Sequence, residues 1–264
     1  MRRIHCFEFE DLPWFPKWLR KMVVEHLEWG ENLFPQIYHS FAEKLGAALQ
    51  QTGQQTIVDL CSGGAGPIPS LLKQLARVGY PDTQVVLTDL YPNPETLERI
   101  CRHNPRQISY RREPVDAGAV PAELIGLRLL CNGFHHMPQN VATAILRDAV
   151  VQRQGIALLE MIGRSPRGII TLVNAVSLSL ISAVCQRPVR LARLFWTYVI
   201  PLVPLIVLWD GTVSCLRIYS CPELRELVQQ VDPNGLMTWE IGTISLVVPP
   251  MQMTYLIGIP KGQP

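Results

Sequence analysis

Apolar and polar positions divide the chain into three regimes. In the first, Phe15, Trp18, Leu19, Met22, Val23 and Leu27 recur at helical spacing with Lys17, Arg20 and Lys21 on the other side, so Leu12-Pro13-Trp14-Phe15-Pro16 opens an amphipathic helix. A second helix is predicted over Phe34–Gln50. In the second regime short apolar runs alternate with amphipathic stretches: strand Thr56–Leu60, turn Cys61–Gly66, helix Ile68–Val78, strand Gln84–Asp89 and helix Asn93–His103. Weaker strands follow at Ser109–Val115 and Leu127–Cys131, then helix Gln139–Gln152 and strand Gly155–Ile162. Continuous apolar runs this short suit strands buried on both faces, and their alternation with helices predicts a doubly wound, mostly parallel α/β sheet.

The third regime starts after Gly163. Gly168–Cys185 runs eighteen residues without a charge and Leu194–Trp209 sixteen more, the latter interrupted by Pro201 and Pro204. Ser220 with Glu223 three residues on then reads as a capping box. Strands near Met237–Ser245 and Met253–Ile259, separated by Val248-Pro249-Pro250, suit an antiparallel hairpin that brings the sheet to seven strands. The expected organisation is an N-terminal helical lid (1–55), an α/β core (56–162), a hydrophobic helical insertion (163–219), and a helix and hairpin completing the core (220–264).

Composition sharpens this picture. The 264 residues suffice for one large α/β domain with an insertion. With 17% charged and 48% hydrophobic residues the chain is more apolar than an average soluble enzyme, so some apolar surface has to be accounted for. A net charge of +2 gives no broad footprint for nucleic acid, and the basic cluster from Arg102 to Arg112 reads as a solvated loop. Seven scattered cysteines without a CxxC pair read as reduced thiols and not as a zinc site. Acids and a proline interrupt the opening MRRIHCFEFEDLPW where an apolar signal core would lie, so a cytoplasmic location is expected.

In a doubly wound sheet the ligand lies beyond the carboxyl ends of the strands, against a first turn that lets backbone approach closely. Gly63, Gly64 and Gly66 provide that approach. A dinucleotide fingerprint starting at Gly64 would put Pro69 where a helix-packing Gly or Ala belongs, and Asp59, just before the glycines, would repel a pyrophosphate but pair with a cationic aminoacyl group. Val58-Asp59-Leu60-Cys61-Ser62-Gly63-Gly64-Ala65-Gly66 resembles motif I of the class I S-adenosylmethionine (SAM) dependent methyltransferases in its DLCSGxGG variant, departing at Ala65. The resemblance implies that Asp59, Cys61, Gly63, Gly64 and Gly66 hold SAM, that Asp89 accepts hydrogen bonds from the ribose hydroxyls, and that Leu90 lies along the adenine. Asp116-Ala117 resembles the motif that reads the adenine edge, and Asn132 falls in the fourth motif on the cofactor side.

Leu130-Cys131-Asn132-Gly133-Phe134-His135-His136-Met137-Pro138 is similar to the segment that faces the methyl group in many small-molecule members of this family. Histidine titrates in the range a proton acceptor needs. The adjacent His135 and His136 are expected to point apart, with His135 the preferred base; a reading in which both only hold the loop stays open. Asn132-Gly133-Phe134 lacks the prolines of amino-group methyltransferases acting on adenine, so nucleic acid is not an expected partner. No cluster of acids around Asn132 suits Mg²⁺, and no metal is expected.

The apolar insertion admits three readings: a buried cap, helices lying in a membrane interface, or a membrane-spanning hairpin. Asn174, Ser177, Ser179 and Ser182 dilute the first stretch, and the arginines of Gln186–Arg193 would be translocated against the positive-inside rule, which favours a cap or peripheral contact at the inner face of the membrane. Trp14, Trp18 and Trp29 suit a substrate lid or an interface. Either way the expected acceptor is small and hydrophobic: a lipid, quinone, terpenoid or aromatic compound. Asp210, Arg217 and Tyr219 are candidate substrate-side residues, as are Glu8 and Asp11. The expected activity is methyl transfer to O, N or C of that acceptor. The competing reading is a membrane-associated protein that keeps the fold as a non-catalytic module.

Overall fold

The computed structural model describes residues 3–246 and 251–262. The short apolar runs become strands β1 (Thr56–Asp59), β2 (Gln84–Leu87), β3 (Ile108–Tyr110), β4 (Leu127–Cys131) and β5 (Ile156–Glu160), followed by β6 (Met237–Leu246) and β7 (Met251–Pro260). They form one seven-stranded sheet in the order β3-β2-β1-β4-β5-β7-β6. The first five are parallel; β7 runs antiparallel to β5, and β6 antiparallel to β7. The Val248-Pro249-Pro250 connection lies outside the described residues.

Helices cover both faces, which is why the parallel strands read as unbroken apolar runs. The helices are α1 (Lys17–Leu33), α2 (His39–Thr52), α3 (Ile68–Arg77), α4 (Pro94–His103), α5 (Gln139–Val151), α6 (Pro166–Cys185), α7 (Leu191–Leu194), α8 (Leu202–Arg217) and α9 (Cys221–Val231). One core joins α2, α3 and α4 to the sheet through residues such as Phe41, Leu45, Leu71 and Leu97, and a second joins α5 and α9 through Ile145, Leu146, Leu224 and Leu227. Local signals set the ends. The Asn93 side chain accepts from the Thr96 N–H at the start of α4, Gly53 ends α2 at φ +64°, and the Glu223 carboxylate accepts from the Ser220 N–H at 2.8 Å ahead of α9.

Helix α2 belongs to this core and not to the lid that the sequence assigned to residues 1–55, because its apolar stripe is spent on the sheet. The lid is α1, which joins α6 and α8 in a third layer with its own small core of Phe15, Leu19, Val23, Val203, Ile206 and Val207. Buried His26 of α1 meets Ser182 of α6 at 3.0 Å. The prolines do interrupt the second apolar stretch, which bends by 68° between Leu191–Val199 and Leu202–Arg217. Pro201 caps α8 and Pro204 lies in its first turn, where proline costs no hydrogen bond, so α8 runs unbroken to Arg217 after the bend. α6 is long and apolar enough to cross a membrane, with a mean hydropathy of 2.0.

The parallel register aligns the strand ends. Asp59 pairs with Leu87 and Leu129, and Cys131 with Leu159. Asp59, Asp89, Asn132 and Glu160 therefore emerge along one edge of the sheet, around the β1/β4 switch point where the strand order reverses.

Candidate functional site

The turn after β1 is tight. Cys61, Gly63, Ala65 and Gly66 all have positive φ, and the Ser62 hydroxyl donates to the Asp59 carbonyl at 2.9 Å. The Gly63 N–H donates to one carboxylate oxygen of Asp89 at 2.9 Å, and the Tyr91 N–H to the other at 2.8 Å, so the acid beyond β2 is oriented by the turn it faces. Asp59 is only 3% exposed, and burial with the nearby charge of Asp89 pushes its carboxyl up to about 7. Burial and then the charges of Asp89, Asp59 and Asp116 push the Cys61 thiol up to about 12, which brings Asp116 into the same neighbourhood. Asp116 is exposed, with its carboxylate accepting from the Gly118 N–H at 2.8 Å; Ala117 is buried and Leu90 exposed.

Helix α1 adds two acids that sequence spacing did not single out. A Cβ on Gly66 would lie 2.9 Å from Glu31 Oε2, and one on Gly64 2.5 Å from Glu28 Oε1, so the absence of side chains lets these carboxylates reach the turn. Glu31 accepts from Asn132 Nδ2 at 2.8 Å, while Asn132 Oδ1 accepts from the Met161 N–H at 2.9 Å. Burial pushes Glu31 up to about 7 and raises Glu28, the latter against the pull of Arg99. Asp59 and Glu31 face the turn with hydroxyl and amide partners and, among the described residues, no ion pair to a cation, as a site for a cationic ligand would have them.

At the other end, His135 sits in the single turn Phe134–His136 that follows β4. Glu160, the last residue of β5, accepts from the His135 N–H at 3.0 Å and lies 2.6 Å from its Nδ1. A carboxylate on Nδ1 fixes the tautomer with the proton there and leaves Nε2 as the acceptor. The two histidines do not point apart: their rings lie 4.2 Å apart at 35°, because the turn bends them to one side. His136 Nδ1 is 3.1 Å from Asp11 and 3.6 Å from Glu8.

Arg217 and Tyr219 hold this turn and do not line the cavity in front of it. Arg217 pairs with Asp11 at 2.6 Å and Glu8 at 3.2 Å and donates to the Cys6 carbonyl, and Tyr219 donates to the Met137 carbonyl at 2.9 Å. Arg3 joins them through the His135 and Met137 carbonyls. The cavity, about 560 Å³, has mainly apolar walls from α1, α6 and α8, with Glu8, Glu10, His135, His136, Glu160 and Asp210 among its polar groups and Glu31 and Asn132 at its boundary with the glycine turn. Asp210 is one sequence candidate that does reach it; its carboxylate accepts from the Phe9 and Glu10 N–H groups. Burial pushes Glu8 up to about 7, and burial with the charges of Asp210 and Glu8 pushes Glu10 up to about 8. Burial would raise Asp11 as well, but its bonds to His136 and Arg217 hold it below the usual carboxylate range. Trp14 is 70% exposed and Trp18 stacks on Trp196, so neither tryptophan meets the cavity.

No family model matches the chain, and no curated protein matches it by sequence. Among solved structures, the plantazolicin methyltransferase BpumL in complex with SAH is similar over 95% of this chain and 94% of that one, with a TM-score of 0.57 at 12% identity. The same enzyme with a monoazolic desmethylPZN analog and SAH gives 0.55 at 10% identity over 93% and 98% of the two chains. BamL with a triazolic analog and SAH gives 0.53 at 8% over 91% and 97%. The fold is that of the class I methyltransferases.

On that fold the chain carries two features its sequence motifs did not show. Glu160 had a sequence signal, since it ends an apolar strand as Asp59 does, whereas Glu31 had none beyond its place on an amphipathic helix. Ligating atoms of Glu8, His135 and His136 come within 4.8 Å of one another, a grouping able to hold a cation that lies away from the Asn132 surroundings where the sequence offers no acid cluster. Arg217 Nη1, 3.2 Å from both Glu8 and His136, supplies positive charge there.

Proposed function

We propose that the chain is a SAM-dependent methyltransferase acting on a small hydrophobic acceptor. The observation that carries this reading is the pairing of two sites across Asn132: an acid-lined glycine turn on one side, and on the other an apolar cavity with a histidine held by a carboxylate. The residues present fit the donor. Asp59 and Glu31 are desolvated acids that an ammonium or sulfonium would neutralise, the glycines leave room for close approach, and Asp89 suits a vicinal diol. Bound there, SAM supplies an electrophilic methyl group to a nucleophile aligned with its S–C bond. For a hydroxyl acceptor, His135 Nε2 takes the proton, and Glu160 keeps the imidazole oriented and stabilises the imidazolium that results. Apolar walls from Leu172, Ile181 and Phe34 favour an apolar acceptor and exclude water.

Calorimetry with SAM and S-adenosylhomocysteine tests the donor half. Both ligands should bind, and Asp89→Ala should weaken them on the order of tenfold to a hundredfold, because charge-assisted hydrogen bonds contribute about 1.5–3 kcal/mol each. No heat with either ligand, or equal affinity in the variant, would overturn the reading and leave a fold kept without its cofactor.

A further inference from the structure

The outer layer buries apolar residues such as Leu172, Ala183, Val203, Ile206 and Val207 against α1, yet it also turns a continuous aliphatic face outward. Helix α6 buries Gly168, Ser179 and Ser182 while exposing Ile169, Ile170, Val173, Leu180, Ile181 and Val184. Helix α8 buries Asp210 and Arg217 and exposes Leu205, Leu208 and Trp209. At the tip between them Leu191 is 84% and Val199 68% exposed. Among the described residues, 15 of the 27 large exposed hydrophobic side chains fall within residues 163–219, so they form a ridge and not a scatter. An amphipathic helix with its aliphatic face outward needs an apolar medium on that side.

Beside the ridge lies a cleft of about 1130 Å³ that reaches the glycine turn at Gly63 and Gly64 at one end and is lined by Lys17, Lys21, Arg102 and Arg187, with Arg190 and Arg99 paired to Glu25 and Glu28. Lys17, Lys21, Arg187 and Arg190 are exposed, as are Trp14, Trp18 and Tyr198 nearby in the chain. Cations and amphipathic aromatics flanking an aliphatic ridge complement anionic headgroups above hydrocarbon. A second copy of the chain would bring the same cations to the same ridge.

The cavity opens on this side. Ser177 and Ile181 belong both to its wall and to the exposed face of α6, and across the gap Leu27 and Phe34 of the lid are at once exposed and lining. We propose that the chain docks on an anionic bilayer surface through the α6–α8 ridge and receives sideways from it a chain-bearing amphiphile. The amphiphile's polar end lies at His135 and Glu8, and its hydrocarbon chain leaves past Leu27, Phe34 and Ile181. The chain rests on the surface without crossing, because α6 is tied to α1 through His26 and Ser182, and α8 to the N-terminal segment through Asp210 and Arg217. The identity of the cavity as an acceptor site rests on the methyltransferase reading, whereas the docking surface does not.

Flotation of the purified full chain tests docking, using vesicles of phosphatidylcholine alone and of an equal mixture with phosphatidylglycerol. The chain should float with the mixed vesicles, and less with the neutral ones. Lys17→Glu with Lys21→Glu and Arg187→Glu should lower affinity for the mixed vesicles on the order of a hundredfold. Leu191→Glu with Val199→Glu should abolish flotation with an unchanged melting temperature, both positions being exposed. Absence of flotation, flotation unchanged in both variants, or a dimer in vesicle-free buffer that Leu191→Glu dissociates would overturn the docking surface. For the portal, a fluorescent long-chain alcohol should bind the vesicle-free protein, and Ser177→Trp should weaken it about tenfold by narrowing the mouth while sparing SAM affinity; equal binding would refute sideways entry. Loss of SAM binding with flotation intact would sink the methyltransferase reading alone.

Discussion

Asp59→Asn should make the ligand-free protein more stable and a poorer binder of SAM. In the unfolded chain Asp59 ionises near 3.8, and in the folded chain burial moves this to about 7. Between those values the folded protein holds a proton that the unfolded one has lost, so the stability contributed at this position falls as pH rises from about 4 to about 7 and is flat above. Each pKa unit between the two states corresponds to about 1.4 kcal/mol, so this position costs folding at most about 4 kcal/mol at pH 8, where the buried carboxyl is ionised, and about 2 at pH 5, where it has to take up a proton. Asparagine removes that cost. Urea unfolding of both proteins without ligand, from pH 5 to pH 8, should therefore show the variant ahead by an amount that grows with pH. In the wild type, SAM affinity should rise with pH up to about 7, by as much as about tenfold per unit, because the bound cation expels the Asp59 proton. In the variant that dependence should shrink to the share contributed by Glu31, with affinity lower overall. A variant no more stable than wild type at pH 8, or a gap that stays constant across the range, would refute the reasoning.

His135→Ala should lower kcat by about 10²–10⁴-fold with SAM affinity unchanged in calorimetry. Glu160→Gln, which keeps the shape but loses the charge behind Nδ1, should fall between that variant and wild type, and turnover equal to wild type in both would leave the pair a structural one. Arg217→Met should destabilise the protein by about 3 kcal/mol at pH 8 in urea, since it strands Glu8 and Asp11 beside the histidine turn. The loss should be smaller at pH 5, where Glu8, raised by burial to about 7, is already protonated.

How much of this was legible in the sequence depends on the range of the interactions concerned. Element positions follow from local periodicity and from caps such as Asn93 and the Ser220–Glu223 pair, and the strand-end acids follow from the parallel register once the alternation is recognised. The Asp59, Gly63 and Asp89 cluster was visible for that reason. Glu31 was not, because it gains its role from Asn132, 101 positions away, and Glu160, although its place at a strand end is readable, gains its role only from His135, 25 positions away. Arg217 and Tyr219 end the insertion and read as acceptor-facing, but the N-terminal segment takes up the Arg217 guanidinium and lays Arg3 over the Tyr219 ring, while the Tyr219 hydroxyl is spent on the Met137 carbonyl. Trp18 fits the amphipathic stripe, yet the stripe is wider than the surface α1 has to bury, and Trp14 lies in the turn ahead of that helix. Exposed apolar residues in α6 were the hardest to read, since a continuous apolar run does not say which of its faces meets protein.

Helix α1 also bears on the order of events. Its Glu28 and Glu31 close over the glycine turn, while Val23, Leu27 and Gly30 on the same helix wall the acceptor cavity. The two compartments thus share one door. Gly63 and Gly64 also line the open cleft beside α1, so an outward swing of α1 widens the donor's route, and an acceptor wedged against Val23 and Leu27 resists that swing. On the methyltransferase reading this imposes a sequence: donor loads first, acceptor second, and the methylated product departs before the spent donor. Initial-rate patterns would then be those of a compulsory-order enzyme, with the demethylated donor competing against the donor alone.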